Sequence, residues 1–228
     1  MKTVRTKAIV LRRTNYGEAD RIVQFLTPDG RRAVMARGVR KEKSKLAGGI
    51  ELFAVSDVVI GEGRGGLGIL TSAKLEHFYR HILEDYDRLQ MGYQAISLVA
   101  RASETVDEPE WFELLLGVLM GLDAKTVSLS LVRAWFFVQY SALLGYELNL
   151  QRDVSGEALQ ADETYRYDAI EKGFQKDPRG DVTAEHIKLL RLIATRSLVV
   201  LAQVGGIAEH IGLCEYIAQQ HAAVEDSF

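Results

Sequence analysis

The sequence predicts an α+β protein, with a five-stranded β-barrel in residues 1–78 and an all-helical domain in residues 79–228. Three observations lead to this prediction. Short segments rich in β-branched residues alternate with turn signals up to about residue 78. The apolar spacing then changes from every second to every third or fourth position, and the balance of charge changes sign at the same place. A content of 47% hydrophobic and 26% charged residues is typical of a globular protein.

The predicted strands are separated by residues that favour turns. The stretch 14–17 (Thr-Asn-Tyr-Gly) follows the first strand. The stretch 28–30 (Pro-Asp-Gly) forms a hairpin turn, because proline sets φ for a turn and glycine accepts a positive φ. Glycine-rich residues 61–66 separate the last two strands. Short strands at this spacing indicate a small closed barrel, with strands at 4–13, 21–27, 31–39, 50–60 and 67–75.

Five helices are predicted after the barrel. Gly145 is expected to end the third helix, Thr183 to cap the N-terminus of the fourth, and Gly205 to separate the fourth from the last, which runs to about residue 223. Residues 149–181 are polar and predict an irregular insert. The predicted buried faces are Tyr86, Leu89, Tyr93, Ile96 and Ala100; Phe112, Leu115, Leu116, Leu119 and Met120; Leu131, Trp135, Val138 and Ala142; and Leu190, Ile193, Ala194, Ser197 and Leu201.

The net charge of −3 conceals an uneven distribution. Residues 1–80 carry 16 Lys/Arg and 8 Asp/Glu, whereas residues 81–228 carry 12 and 23. Such asymmetry indicates a basic module that meets a polyanion, with a solvated basic face as the alternative. Glu42 is the only acid within the densest basic run, whose cations are Arg31, Arg32, Arg37, Arg40, Lys41, Lys43 and Lys45.

A single-stranded nucleic acid requires cations for its phosphates and aromatic rings for its bases. Strand alternation places Arg31 and Arg37 on one face of the third strand, so one barrel surface is expected to carry arginines that continue into the loop 40–45. Tyr16 is the candidate stacking ring, and Arg21 and Arg64 are expected nearby. In an oligonucleotide/oligosaccharide-binding (OB) barrel, strands 2 and 3 and the first and last hairpin loops form the binding face.

No catalytic residue, cofactor site or metal site is predicted. Residues 61–66 match the pattern G-x-G-x-x-G, but that motif binds a dinucleotide only where a helix follows, and here a strand is predicted. His77 and His81 lack a third ligand, and Cys214 lies in an apolar stretch without a neighbouring base. One cysteine, no signal peptide and no long apolar run predict a soluble cytoplasmic protein.

The most specific sequence patterns lie between positions 8 and 75. The stretch 15–23 (NYGEADRIV), Thr27, Gly30 and the stretch 36–45 (ARGVRKEKSK) resemble the N-terminal barrel of RecO, a family of bacterial recombination mediators. The resemblance implies an OB barrel followed by a helical domain in a non-enzymatic protein of DNA damage repair. It also implies binding and annealing of single-stranded DNA. The implied partners are RecR and the single-strand-binding protein (SSB), with a role in loading the RecA recombinase.

By position, the resemblance assigns DNA binding to the cations of the barrel. An OB-fold RNA-binding accessory factor is the alternative function, because OB barrels bind both DNA and RNA. With Arg64 and Tyr16 from the residue patterns, the predicted DNA-binding set is Arg13, Arg21, Arg31, Arg32, Arg37, Arg40, Lys41, Lys43, Lys45, Arg64 and Tyr16.

Two further expectations concern the helical domain. Many members of the family carry a four-cysteine zinc module after the helix that ends near Gly145, but residues 148–180 contain no cysteine, so no structural zinc is expected there. The acidic SSB tail, which the resemblance implies as a ligand, requires a cation beside an apolar pocket. Arg133, Arg191 and Arg196 are the candidates, and pairing of these arginines with nearby acids is the alternative.

Overall fold

The computed structural model describes residues 3–63, 65–106 and 108–222. The chain divides into two compact units, Met1–Asp123 and Ala124–Phe228. The predicted boundary at residue 78 coincides with the end of the fifth strand. The compact units nevertheless divide after Asp123, because the first two helices pack with the barrel.

The strands of the first unit are β1 (Thr3–Tyr16), β2 (Asp20–Thr27), β3 (Gly30–Ala36), β4 (Ala54–Gly61) and β5 (Gly68–Phe78). They close into a barrel in the order β1-β2-β3-β5-β4, in which β4 also pairs with β1. This is the predicted five-stranded OB barrel. Alternate residues point inward, so the barrel core contains Val10, Val23, Phe25, Val34, Ala36, Val58, Ile60 and Leu70.

The first hairpin turn differs from its prediction. β1 continues to Tyr16, which pairs with Asp20, so the turn occupies residues 17–19 rather than 14–17. Gly17 has a φ of +55°, a conformation that glycine adopts without the clash a side chain would cause. The turn therefore begins at the glycine, and the polar residues before it remain in the strand.

Two helices complete the first unit, α1 (Tyr86–Thr105) and α2 (Glu110–Asp123). The predicted face of α1 is wrong at Tyr86 and Tyr93, which are 73% and 47% exposed. Small residues of α1 instead approach the barrel. A Cβ on Gly92 would lie only 2.8 Å from Cε1 of Phe53, so glycine permits this close packing. Met120, Ala142 and Ser197 are also exposed, contrary to prediction.

The helices of the second unit are α3 (Leu129–Leu143), α4 (Ala184–Thr195), α5 (Leu198–Leu201) and α6 (Ile207–Ala222). Gly145 ends α3 as predicted: its φ is +87°, its N–H donates to the carbonyl of Ala142, and the N–H of Tyr146 donates to that of Ser141. These two bonds form a Schellman motif. Thr183 caps α4 as predicted. That helix ends at Thr195 and not near Gly205.

The insert (residues 149–181) is folded rather than irregular throughout. It contains a hairpin of β6 (Tyr165–Asp168) and β7 (Gly173–Lys176). Phe174 is fully buried and its ring contacts that of Tyr167. Four Asx-type turns in the insert are closed by side-chain oxygens that accept backbone N–H groups, those of Asn149, Asp153, Asp168 and Asp177, and the turn at Asp168 is the hairpin loop itself.

A buried histidine joins the insert to α6. Nε2 of His221 lies 2.8 Å from the carbonyl oxygen of Tyr146, and Nδ1 lies 2.9 Å from the hydroxyl of Tyr167. Since a carbonyl only accepts, Nε2 carries the hydrogen and Nδ1 accepts from Tyr167. Burial, assisted by the charge of Lys172, lowers the pKa of His221.

Candidate nucleic-acid interface

The cationic segment (residues 37–45) follows β3 and is bound to the first hairpin turn. The N–H of Gly38 donates to Oδ1 of Asp20 at 2.7 Å. The N–H of Arg40 donates to the carbonyl of Ala19 at 2.9 Å, and its Nη1 donates to that of Gly17 at 3.2 Å. Two loops that are distant in sequence therefore form one end of the barrel.

Apolar and turn-forming residues hold the cationic segment in place. Val39 is 3% exposed and belongs to the barrel core. Gly38 has a φ of +62°, and the N–H of Lys41 donates to its carbonyl at 3.1 Å. The side chain of Ser44 accepts the N–H of Leu46 at 3.3 Å. The turns use backbone groups and one hydroxyl, so the side chains of Arg37, Lys41, Lys43 and Lys45 remain exposed.

Tyr16 and Arg21 lie at the same end of the barrel. Tyr16 is the last residue of β1 and is 55% exposed. Arg21 of β2 pairs with Ala36 of β3, the residue before the cationic segment. The Nε of Arg21 donates to Oδ1 of Asn15 at 3.0 Å. An exposed ring therefore lies beside a concentrated positive charge.

Arg13 and Arg31 are engaged in contacts within the first unit. Nη1 of Arg13 lies 2.9 Å from a carboxylate oxygen of Glu51, and the side chain of Arg13 is 24% exposed. Arg31 donates to the carbonyl of Ala100 at 3.1 Å and pairs with Glu104 of α1 at 3.1 Å. Both guanidinium groups are thus partly neutralised by carboxylates.

The remaining predicted cations do not join the same surface. Arg31 and Arg32 lie near the start of β3, and Arg37 directly follows its end. The five residues from Arg32 to Arg37 correspond to about 17 Å along a strand. Arg32 is exposed and lines a cavity of about 380 Å³ next to Gly61 and Gly68. Arg64 lies outside the described residues. The structure therefore separates the predicted residues into two ends of the barrel.

The glycine-rich motif at 61–66 is followed by β5, as the sequence predicts. A helix N-terminus, which would receive a pyrophosphate, does not follow it. Arg12 is an exposed cation of the barrel that is absent from the predicted set, as are Arg5, Lys7 and Lys74.

Two family models together match nearly the whole chain. The model described as "Recombination protein O N terminal" matches residues 1–79, and "Recombination protein O C terminal" matches residues 83–221. The chain belongs to the recombination protein O (RecO) family.

Curated relatives agree with this assignment. A DNA repair protein RecO from Roseiflexus sp. (strain RS-1) is 36% identical over 75% of this chain and 60% of the relative. One from Desulfatibacillum aliphaticivorans is 32% identical over 68% of this chain and 61% of the relative. The chain thus spans about 60% of the length of the RecO proteins it matches.

In the part that matches the C-terminal RecO model, the three candidate partner-binding arginines differ in their contacts. Arg133 pairs with Glu215 at 3.2 Å. Arg191 donates from Nε and Nη2 to the carbonyl of Leu150, at 3.0 and 2.7 Å. The side chain of Arg196 is exposed, and close to it in sequence Val199 and Val200 are 60% and 48% exposed.

Cys214 is fully buried in this RecO-family chain, and burial raises its thiol pKa to about 12. Within residues 3–63, 65–106 and 108–222, three or more His, Cys, Asp or Glu side chains do not come together in a group that could hold a metal ion. Each described helix is too short or too polar to cross a membrane.

Proposed function

We propose that this protein is a DNA repair and recombination mediator that binds and anneals single-stranded DNA through the cationic end of its barrel. It then assists loading of a RecA-type recombinase onto SSB-coated strands and catalyses no covalent chemistry itself. Membership of the RecO family supports the general role, since its relatives carry the name DNA repair protein RecO.

The observation that carries the DNA-binding proposal is the ordered exposure of the cationic segment. Five cations lie within nine residues, and the segment is held by three hydrogen bonds to the first turn and its flank. Ordered cations lose less conformational freedom on binding phosphates than cations of a loose tail would. Tyr16 supplies a ring on which a base stacks.

The positive charge also supports annealing. Two complementary strands repel each other through their phosphates, and bound cations reduce that repulsion at short range. Arg37, Arg40, Lys41, Lys43, Lys45 and Tyr16 form the principal site, with Arg21 beside it. Arg32 extends the site toward the other end of the barrel, and Arg64 is included by its place in the sequence alone, whereas Arg13 and Arg31 contribute less because carboxylates pair with them.

Protein partners of the RecR and SSB types are assigned to the helical region. An acidic tail ending in an apolar residue requires a cation beside apolar surface. Among the three candidates, Arg196 fits best, because its side chain is exposed and Val199 and Val200 lie nearby in sequence. Titration of a labelled acidic tail peptide should show weaker binding by Arg196→Glu than by Arg133→Glu, and equal binding would remove Arg196 from the site.

The DNA-binding proposal is tested by fluorescence anisotropy of a labelled oligonucleotide across a salt series. Each neutralised phosphate contributes about −0.7 to the slope of log K against log salt for a single strand. Replacing Arg37, Arg40, Lys41, Lys43 and Lys45 by alanine should therefore flatten the slope by up to about 3.5.

The matched control removes the five cations of the insert, namely Arg152, Arg166, Lys172, Lys176 and Arg179. It changes the net charge equally and should leave the slope unchanged. An equal loss in both variants would mean that net charge alone drives binding. Competition between DNA and RNA oligonucleotides in the same assay measures the preference, and tighter RNA binding would contradict the proposed role.

A further inference from the structure

A groove of about 350 Å³ lies between α1 and the outer face of β1 and β2, within the first unit. Its floor is apolar: Leu11 is 6% exposed and Ile96 is 4% exposed, with Leu52 and Ala100 beside them. Apolar surface of this kind is favourable for a flat, weakly hydrated group such as a nucleobase.

The rim of the groove carries a positive excess. Arg12 and Arg101 line it, and Glu104 is the only acid among its lining residues. The carboxylate of Glu104 already pairs with Arg31 at 3.1 Å. Arg12 is exposed and has no hydrogen-bond or ion-pair partner in the described part of the chain. The charge at the rim therefore complements an anion.

Tyr93 forms one wall of the groove and is 47% exposed. Its ring makes an edge contact with buried Phe53, with centroids 5.0 Å apart and planes at 70°. Phe53 has a φ of +56°, which is a strained conformation for a bulky residue. Its carbonyl accepts the N–H of Tyr79 at 2.9 Å, which fixes the backbone there. Tyr93 is thus a positioned, half-exposed ring.

The strand register connects this groove with the cationic end of the barrel. A bulge at Leu11 shifts the register of β1, after which Arg12 pairs with Gln24 and Tyr16 pairs with Asp20. Arg12, Thr14 and Tyr16 therefore alternate onto one face of β1. The four residues from Arg12 to Tyr16 correspond to about 13 Å along the strand.

We infer that the groove holds one nucleotide of the bound single strand, with its base on Tyr93 and its phosphate at Arg12. The nucleic-acid path then runs along β1 from Tyr16 to Arg12 and ends at Tyr93 of α1. This inference rests on the proposed function and extends it from the barrel to α1. The groove volume lies at the lower end of the range for small-ligand sites, about 300–1,000 Å³, which suits a single nucleotide.

Oligonucleotide affinity of three single variants and two controls tests the inference in the full chain. Tyr93→Leu keeps bulk against Phe53 but removes the ring, so affinity should fall about tenfold. Tyr93→Phe should bind like the wild type. Arg12→Ala should reduce the steepness of the salt slope by about 0.7. Tyr86→Leu on α1 and Arg5→Ala on β1 are matched controls on the same elements, and both should leave binding unchanged.

Crosslinking separates loss of the ring from loss of structure. Irradiation of the wild-type complex with an oligonucleotide that contains 5-iododeoxyuridine should label the tryptic peptide 89–101, which contains Tyr93.

If the cationic-segment variant loses binding while Tyr93→Leu binds normally and no crosslink forms, the inference is overturned and the proposed function stands. Absence of any oligonucleotide binding by the wild type overturns both. If Tyr93→Leu loses an acidic peptide with an apolar end but keeps the oligonucleotide, the groove is a peptide site and the inference is wrong.

Discussion

The cationic segment and the insert are both built from turns, but they use polar side chains in opposite ways. In the cationic segment, hydrogen bonds within the turns come from the backbone, Asp20 and Ser44, so four of its five cations extend into solvent. In the insert, side-chain oxygens close the turns. Asp153 alone accepts the N–H of Ser155 and of Glu157, and the hydrogen bond from the Ser155 side chain lowers its pKa.

This comparison shows that polarity of a loop does not by itself make a binding surface. A charged side chain is available to a ligand only where other groups satisfy the turn. The cationic segment meets that condition and the insert largely does not.

The insert should behave as folded structure with its own core. Phe174→Ala removes a fully buried ring and should lower the free energy of unfolding of the second unit by about 3–5 kcal/mol. Urea unfolding followed by Trp135 fluorescence in a Trp111→Phe background reports on this unit alone, because the chain has two tryptophans. Unchanged unfolding would mean that the insert is not an integral part of the unit.

The ring of Tyr16 should contribute to nucleic-acid binding. Tyr16→Ala should weaken oligonucleotide binding by about 1–3 kcal/mol, because stacking of one base is lost, whereas Tyr16→Phe should retain it. Tyr216 of α6 is equally exposed, at 55%, and Tyr216→Ala provides the control. Equal effects of the two alanine variants would show that exposure and not position determines the loss.

Single cations from the two regions should differ in the salt dependence of binding. Lys41→Ala removes an exposed cation and should reduce the steepness of the slope by about 0.7. Lys176→Ala removes a cation that pairs with Glu163 at 2.5 Å and should have no effect on the slope. Identical slopes for the two variants would contradict the contrast between the regions.

The stability of the second unit should decrease in mild acid because of His221. The folded pKa of this side chain lies below its ordinary value of 6.5, so its contribution is complete above pH 6.5 and declines as the pH falls toward the folded pKa. The urea midpoint reported by Trp135 should therefore be lower at about pH 5.5 than at about pH 7.5, two values on either side of the ordinary histidine pKa of about 6.5. A His221→Gln variant should show a smaller drop, with the remainder from His186, whose pKa burial also lowers. A drop of equal size in that variant would assign the dependence to groups other than His221.

The sequence was most informative where the determinants are local. Turn signals identified the strands, and Gly145 and Thr183 ended and began their helices as predicted. The hidden partners were distant: Arg13 pairs with a carboxylate 38 residues away and Arg31 with one 73 residues away. No local pattern reports such pairs.

Two errors have a tertiary cause. The face of α1 was displaced because small residues, Gly92 and Ala95 among them, face the barrel, while the tyrosines that fit the same period face outward. Arg12 was not predicted as part of the site; it lies directly after the bulge at Leu11, which shifts the register of β1 and which no local sequence pattern shows. The glycine-rich motif at 61–66 was correctly predicted to precede a strand, because the start of that strand is visible in the neighbouring residues.

The barrel has a narrow seam. β3 and β5 are joined by only two residue pairs, Val34 with Gly68 and Met35 with Ile69, whereas each antiparallel neighbour pair has seven or more. Gly68 allows this approach, because a Cβ there would lie only 3.3 Å from Cγ1 of Val34 on β3. When the barrel opens by a local fluctuation, it should open along this seam, so amide hydrogens of β3 and the start of β5 should exchange with solvent ahead of those between β1 and β2.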